Sequence, residues 1–91
     1  MSNKVTNEIK ITVFETMLNL IDAKGGDKKM VTVDDIVANM QNITPIIVKA
    51  VFNYYINLKY VRYYKVRGTY YYGITKLGWK RWFAHQEVKG A

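Results

Sequence analysis

Ninety-one residues with 49% hydrophobic and 14% aromatic content make one small domain, residues 1–91, with material for a core and no room for a second. The absence of cysteine excludes disulfide staples and thiolate metal sites and fits a reducing cytosol, and no apolar run approaches the roughly 20 residues that span a bilayer. The formal charge of +7 is lopsided: residues 1–35 carry five Lys against six acids, whereas residues 36–91 carry nine Lys or Arg against Glu87 alone.

Between Asp35 and Glu87 lie 51 residues without an acid, eight of them Lys or Arg. A one-signed half on a small chain raises the local field and attracts polyanions; the plainer alternative is a solvated basic face that serves solubility. The start, Met1-Ser2-Asn3-Lys4, lacks the apolar centre of a signal peptide. The expectation is a soluble, cytoplasmic protein, nucleoid-associated if its source is prokaryotic, with no membrane partner.

Along the chain, Ile9, Val13, Phe14, Met17, Leu18, Leu20 and Ile21 recur at helical spacing and predict a first helix from about Val5 to Ala23. Gly25-Gly26 stop it. Met30-Val31-Thr32 reads as a short strand. Thr32 followed by Asp34 and Asp35 is a helix-start pattern, and a second helix runs to about Met40, burying Ile36, Val37 and Met40. Gln41-Asn42-Ile43 is a turn. Thr44-Pro45 opens a third helix, Thr as cap and Pro at the first helical position, reaching about Leu58. Its predicted inner face holds Ile47, Val48, Val51, Tyr55 and Leu58, with Phe52 at the margin. Its outer face holds Ile46, Lys49, Ala50, Asn53, Ile56 and Asn57.

From Tyr60 to Ile74 the chain is rich in aromatic and β-branched residues, broken by Arg67-Gly68, which predicts a two-stranded hairpin of Tyr60–Val66 and Thr69–Ile74. About half of Tyr63, Tyr64, Tyr70, Tyr71 and Tyr72 are expected to pack on the first and third helices. A last helix runs from Thr75 to about Val88.

Catalysis is poorly supplied. The single histidine, His85, stands near the C-terminus, and Asp34 and Asp35 are adjacent, so they diverge on a helix. Gly25-Gly26-Asp27 lacks the spacing of a phosphate-cradling loop. The sequence points away from an enzyme and implies no metal and no cofactor.

A tight junction between the second and third helices is a helix-turn-helix arrangement, and a hairpin directly after it makes a wing. The stretch Thr44 to Trp82 resembles winged helix-turn-helix transcription regulators of the MarR and PadR kind. The matching pieces are the Thr44-Pro45 opening, Asn53 to Val61, the Arg67-Gly68 tip, and Tyr72-Gly73-Ile74-Thr75-Lys76-Leu77-Gly78, which is similar to the family's aromatic-x-Leu-Thr-x-x-Gly close with Ile74 in place of Leu. Composition is also similar to winged-helix proteins of thermophilic archaea and their viruses. The family often has glycine where this chain has Lys59, so the entry into the hairpin is expected to differ in detail.

The resemblance implies an α+β winged helix in the order helix-strand-helix-helix-strand-strand-helix, binding double-stranded DNA and regulating transcription. The third helix would lie in the major groove, with Thr44, Ile46, Lys49, Ala50, Asn53 and Asn57 as its DNA-facing residues. Asn53 can pair with adenine, Lys49 with guanine or phosphate, and Ile46 with a thymine methyl. Arg62, Lys65, Arg67 and Gly68 of the 60–74 hairpin would hold backbone or minor groove. For Lys49, Asn53 and Asn57 an ordinary solvated helix face is the competing reading. Trp79, Trp82 and Phe83 exceed what one terminal helix needs, so a homodimer with these residues at its interface is expected; the competing reading is that they close the domain's own core. Two alternatives stay open for the whole chain: a winged helix that docks on a protein, and a non-specific basic nucleic-acid-binding protein, including a single-strand binder with a tyrosine platform.

Overall fold

A computed structural model describes residues 5–26 and 28–90, with side chains through residue 86. The leader reading made on Met1–Lys4, and Asp27 of the polar loop, lie outside the described residues. Helix α1 spans Asn7–Ala23. It starts two residues after Val5 because Thr6 is its extended cap, with Oγ1 accepting from the Ile9 amide at 3.1 Å. Helix α2, Val33–Ala38, is held by reciprocal bonds: Thr32 Oγ1 accepts from the Asp35 amide, and the Asp35 carboxylate accepts from the Thr32 amide. It stops short of Met40. Asn39 is already non-helical, and its side-chain amide donates to the Asp35 carbonyl at 2.8 Å. Only Ile36 is fully buried from this helix; Val37 and Met40 are half-buried.

Helix α3, Pro45–Asn57, begins as expected, with Thr44 Oγ1 accepting from the Ile47 amide. Strands β1, Val61–Val66, and β2, Thr69–Ile74, form one antiparallel hairpin in the register Val61↔Ile74 to Val66↔Thr69. Tyr60 stays outside it. Its amide donates to the Tyr55 carbonyl, and its own carbonyl accepts from the Thr75 amide at 3.0 Å. Helix α4 runs Lys76–Gly90, with Thr75 Oγ1 accepting from the Gly78 amide. The expected first strand is a single bridge, in which Val31 and Tyr72 exchange two backbone bonds of 2.8 and 2.7 Å. Among the described residues the architecture is α+β, four helices and a two-stranded hairpin, compatible with a winged helix-like fold.

The core gathers Val13, Met17 and Ile21 of α1, Ile36 of α2, and Val48, Val51 and Phe52 of α3, with Val61, Tyr72 and Ile74 from the hairpin root. The buried sector of α3 differs from the expected one. Phe52, placed at the margin by spacing, is 1% exposed; Leu58, placed inside, is 40% exposed; Ile56, placed outside, packs on the core. The cause is the hairpin, which follows directly and covers one flank of α3, bringing Tyr72 to 4.3 Å ring to ring with Phe52. The hairpin itself is buried only at its root. Tyr72 alone of its five tyrosines is buried, against the half expected, because a two-stranded ribbon projecting past the helices has little to pack on.

Candidate nucleic-acid interface

On α3, Ile46, Lys49, Ala50, Asn53 and Asn57 are all exposed, as their spacing along one helical stripe predicts. Ile46 is 71% exposed, an apolar side chain left in water at the helix start. Thr44 is also exposed, but its hydroxyl oxygen is committed to capping.

The hairpin adds a second surface. Residues opposite each other across an antiparallel pair share a face. Tyr63, Tyr72, Lys65 and Tyr70 therefore lie on the face that carries Val61 and Ile74; Arg62, Tyr64, Tyr71 and Val66 lie on the other. The tip is the two-residue turn Arg67-Gly68, with φ of +51° and +81°, the type I′ pattern whose twist matches the strands. Gly68 takes this conformation freely, whereas Arg67 bears the strain of an L-residue there.

Two hollows join hairpin to helix. One, about 320 Å³, lies between Asn53 and Ile56 on α3 and Tyr63, Tyr70 and Tyr72 on the hairpin. The other brings Pro45 and Lys49 to Gly68, Thr69, Tyr70 and Tyr72, with Asp34 of α2 at its edge. Burial raises the Tyr72 phenol above its ordinary value, with Tyr70 and Tyr63 adding to the rise. Lys65 holds its ammonium 5.4 Å from the Tyr70 ring centre. Lys49, Asn53, Lys65 and the tip are thus brought together. Arg62 is not: it sits half-buried at the root on the opposite face, 5.8 Å from the Tyr64 ring centre, beside Lys76 and Trp79 of α4.

The α4 aromatics divide. Trp82 packs on Phe14 at 5.8 Å, and Trp79 packs on the core, so both belong partly to the domain itself. Phe83 stacks on Trp79 at 6.0 Å and remains 59% exposed. A further hollow of about 200 Å³ lies among Phe14, Tyr55, Tyr60, Arg81, Trp82 and His85. Arg81 Nε donates to the Tyr60 hydroxyl at 3.1 Å there. Burial, then the neighbouring Tyr54 and Tyr60, push the Tyr55 phenol up to about 12.

From the sequence about half of the five hairpin tyrosines are expected to pack on the helices, with a tyrosine platform as an open alternative, and Tyr63, Tyr70 and Tyr72 are not singled out. The signal that finds them is the turn: once Arg67-Gly68 is read as a two-residue loop, the register is set and the three rings fall on one face. Among the described residues no group of three His, Asp or Glu stands close enough to hold a metal, and no helix is long and apolar enough to cross a membrane. The chain matches no protein-family model, and no match among curated proteins reaches significance.

Proposed function

We propose that this chain is a winged helix-turn-helix protein of the MarR and PadR kind that binds double-stranded DNA sequence-specifically, as a homodimeric transcription regulator in the cytoplasm. Helix α3 enters the major groove, and the hairpin, as wing, grips the flanking backbone. The observation that carries the reading is that Lys49 on the exposed stripe of α3 shares a hollow with Gly68 and Thr69 at the hairpin tip. Helix and wing therefore address the same side of the molecule, the arrangement a duplex requires. Charge supports it, since the 51 residues from Ile36 to Gln86 hold no acid. Lys49, Lys65 and Arg67 supply phosphate contacts, and Asn53 and Ile46 supply base contacts.

Selection of bound sequences from a random duplex pool is the direct test. An enriched inverted repeat is the expected outcome. Enrichment of nothing, with binding retained, would leave a non-specific basic protein; no binding would leave a protein-docking domain. The affinity is also expected to fall about 10³–10⁵-fold between 50 and 200 mM salt, as for roughly 6–10 neutralised phosphates. Affinity constant across that range would overturn the phosphate-driven mode.

A further inference from the structure

We propose that the hollow between α3 and the hairpin takes an unstacked nucleobase, so that the protein prefers duplex DNA carrying a single-stranded extension to fully paired duplex. The proposal rests on the reading above that this face meets DNA.

The geometry is that of a ring-sized slot with a fixed floor. Tyr72 is 7% exposed, is tied by two backbone bonds to Val31, and lies against Phe52. Tyr63 and Tyr70 stand above it, 52% and 44% exposed. Their ring centres are 6.0 Å apart and their planes are inclined by 51°, so neither ring covers the other's face. Asn53 and Ile56 close the α3 side, leaving about 320 Å³. Tyr70 is inclined by only 28° to Tyr72 at 6.4 Å, an offset that leaves part of its face open beside the exposed Tyr63 ring, and partly open aromatic faces beside a slot of that size are what a planar heterocycle stacks on.

Charge decides which planar group. Lys65 rises from the same hairpin face over Tyr70, and Lys49 stands in the adjoining hollow, which shares Tyr70 and Tyr72 with this one. Two cations beside an aromatic slot suit a chain of phosphates with bases attached. Asp34 edges the adjoining hollow near α2 and repels phosphate there, so the strand leaves on the Lys65 side. Inside a paired duplex every base face is already stacked, and a blunt end exposes only one face of a whole base pair, whereas a single unpaired base can turn into the slot beside Tyr63 and Tyr70; within a paired site the tyrosines act only through their hydroxyls.

The test compares, at one salt concentration and with the full chain, a blunt duplex of selected or random sequence, the same duplex with a short thymidine extension at either its 5′ or 3′ end, and the single strand. One extension polarity is expected to tighten binding about fivefold or more over the blunt duplex, the lower end of one base–aromatic stack. Tyr70→Ala is expected to bring that ratio to one, while Tyr70→Phe, which keeps the ring and loses the hydroxyl, preserves it. Circular dichroism checks that both variants fold. Equal binding of blunt and extended duplexes by the unaltered protein overturns this inference and leaves the duplex reading standing. A ratio lost equally in Tyr70→Phe overturns it in favour of a hydroxyl–phosphate contact. Failure to bind any of the DNAs overturns both readings.

Discussion

At the scale of single residues, the junction between the hairpin and α4 is tightly constrained. Thr75 donates its hydroxyl to the Lys59 carbonyl at 2.6 Å, accepts from the Gly78 amide, and donates its own amide to Tyr60. A side chain at Gly78 would fall on the Tyr60 carbonyl oxygen and stand 2.9 Å from Ile74 Cγ2. Backbone cannot step aside as a flexible side chain can. Gly78→Ala is therefore expected to destabilise by about 1–3 kcal/mol, visible as a Tm fall of roughly 4–8 °C per kcal/mol in thermal melts. Lys59, the residue before Tyr60, shows the converse. Its φ is +68°, the left-handed region, so the lysine differs from glycine in residue type while keeping a backbone that glycine would adopt freely. Lys59→Gly is expected to raise stability by up to about 1 kcal/mol, the relieved strain exceeding the extra freedom of the unfolded chain. Tyr55 sets a third expectation. Its phenol is pushed up from the ordinary 10.0 to about 12 in the folded protein, because burial disfavours the phenolate. Its stabilising contribution is whole below about pH 10 and is lost as pH rises toward 12. In Tyr55→Phe the alkaline decline in denaturant midpoint should be shallower across that window. Tyr72, also raised, keeps some of it.

At the scale of elements, the hairpin and α3 are expected to fail differently. Arg67 holds a left-handed turn position that asparagine occupies with less strain. Arg67→Asn should therefore make the fold slightly more stable, by up to about 1 kcal/mol, while weakening DNA binding on all sequences alike and lowering the salt slope by about one. A stabilised protein that binds less well separates the charge from the turn, which Arg67→Ala would confound. Asn53 is exposed on the middle of α3, so Asn53→Ala should keep the fold, raise its stability by up to about 0.7 kcal/mol through the better helix propensity of Ala, and reduce the ratio of matched to mismatched affinity. An unchanged ratio would return Asn53 to the role of a solvated side chain.

At the scale of the whole molecule, the longest extent is 38 Å, close to one turn of a DNA helix. One copy offers a single α3, so reading more than a few base pairs calls for a second copy about 34–36 Å along the same face. Trp82 and Trp79 are partly spent on the domain's own core, which leaves Phe83, and Leu77 at 44% exposed, as the large apolar side chains of α4 open to a partner among the described residues. The chain is expected to sediment as a dimer at micromolar concentration, and Phe83→Lys to sediment as a monomer with its fold intact. A wild-type monomer, unaltered by adding DNA, would refute the two-site arrangement.

What the sequence by itself determined is what short-range chemistry decides. Thr32 and Thr44 are caps because a hydroxyl oxygen accepts from an amide three residues on, whereas Thr75, expected as the first residue of the last helix, stands just before it and caps it. Arg67-Gly68 is a turn because two residues with positive φ join twisted strands. The order of helices and hairpin, and the exposed stripe Ile46, Lys49, Asn53, Asn57, follow from local spacing alone. Tertiary structure decided the rest. Whether Phe52, Ile56 or Leu58 is covered depends on where the hairpin lies against α3. Whether a tyrosine is core or surface depends on how far the ribbon projects beyond the helices. Arg62 and Lys65, three residues apart, part to opposite faces through the strand's two-residue period, and Arg62 reaches α4 only because Thr75 and Gly78 hold that helix against Tyr60. The slot between Asn53 and Tyr70 has no local signature, because its walls are 17 residues apart in the chain and meet only when the core beneath them, Phe52 on Tyr72, has packed.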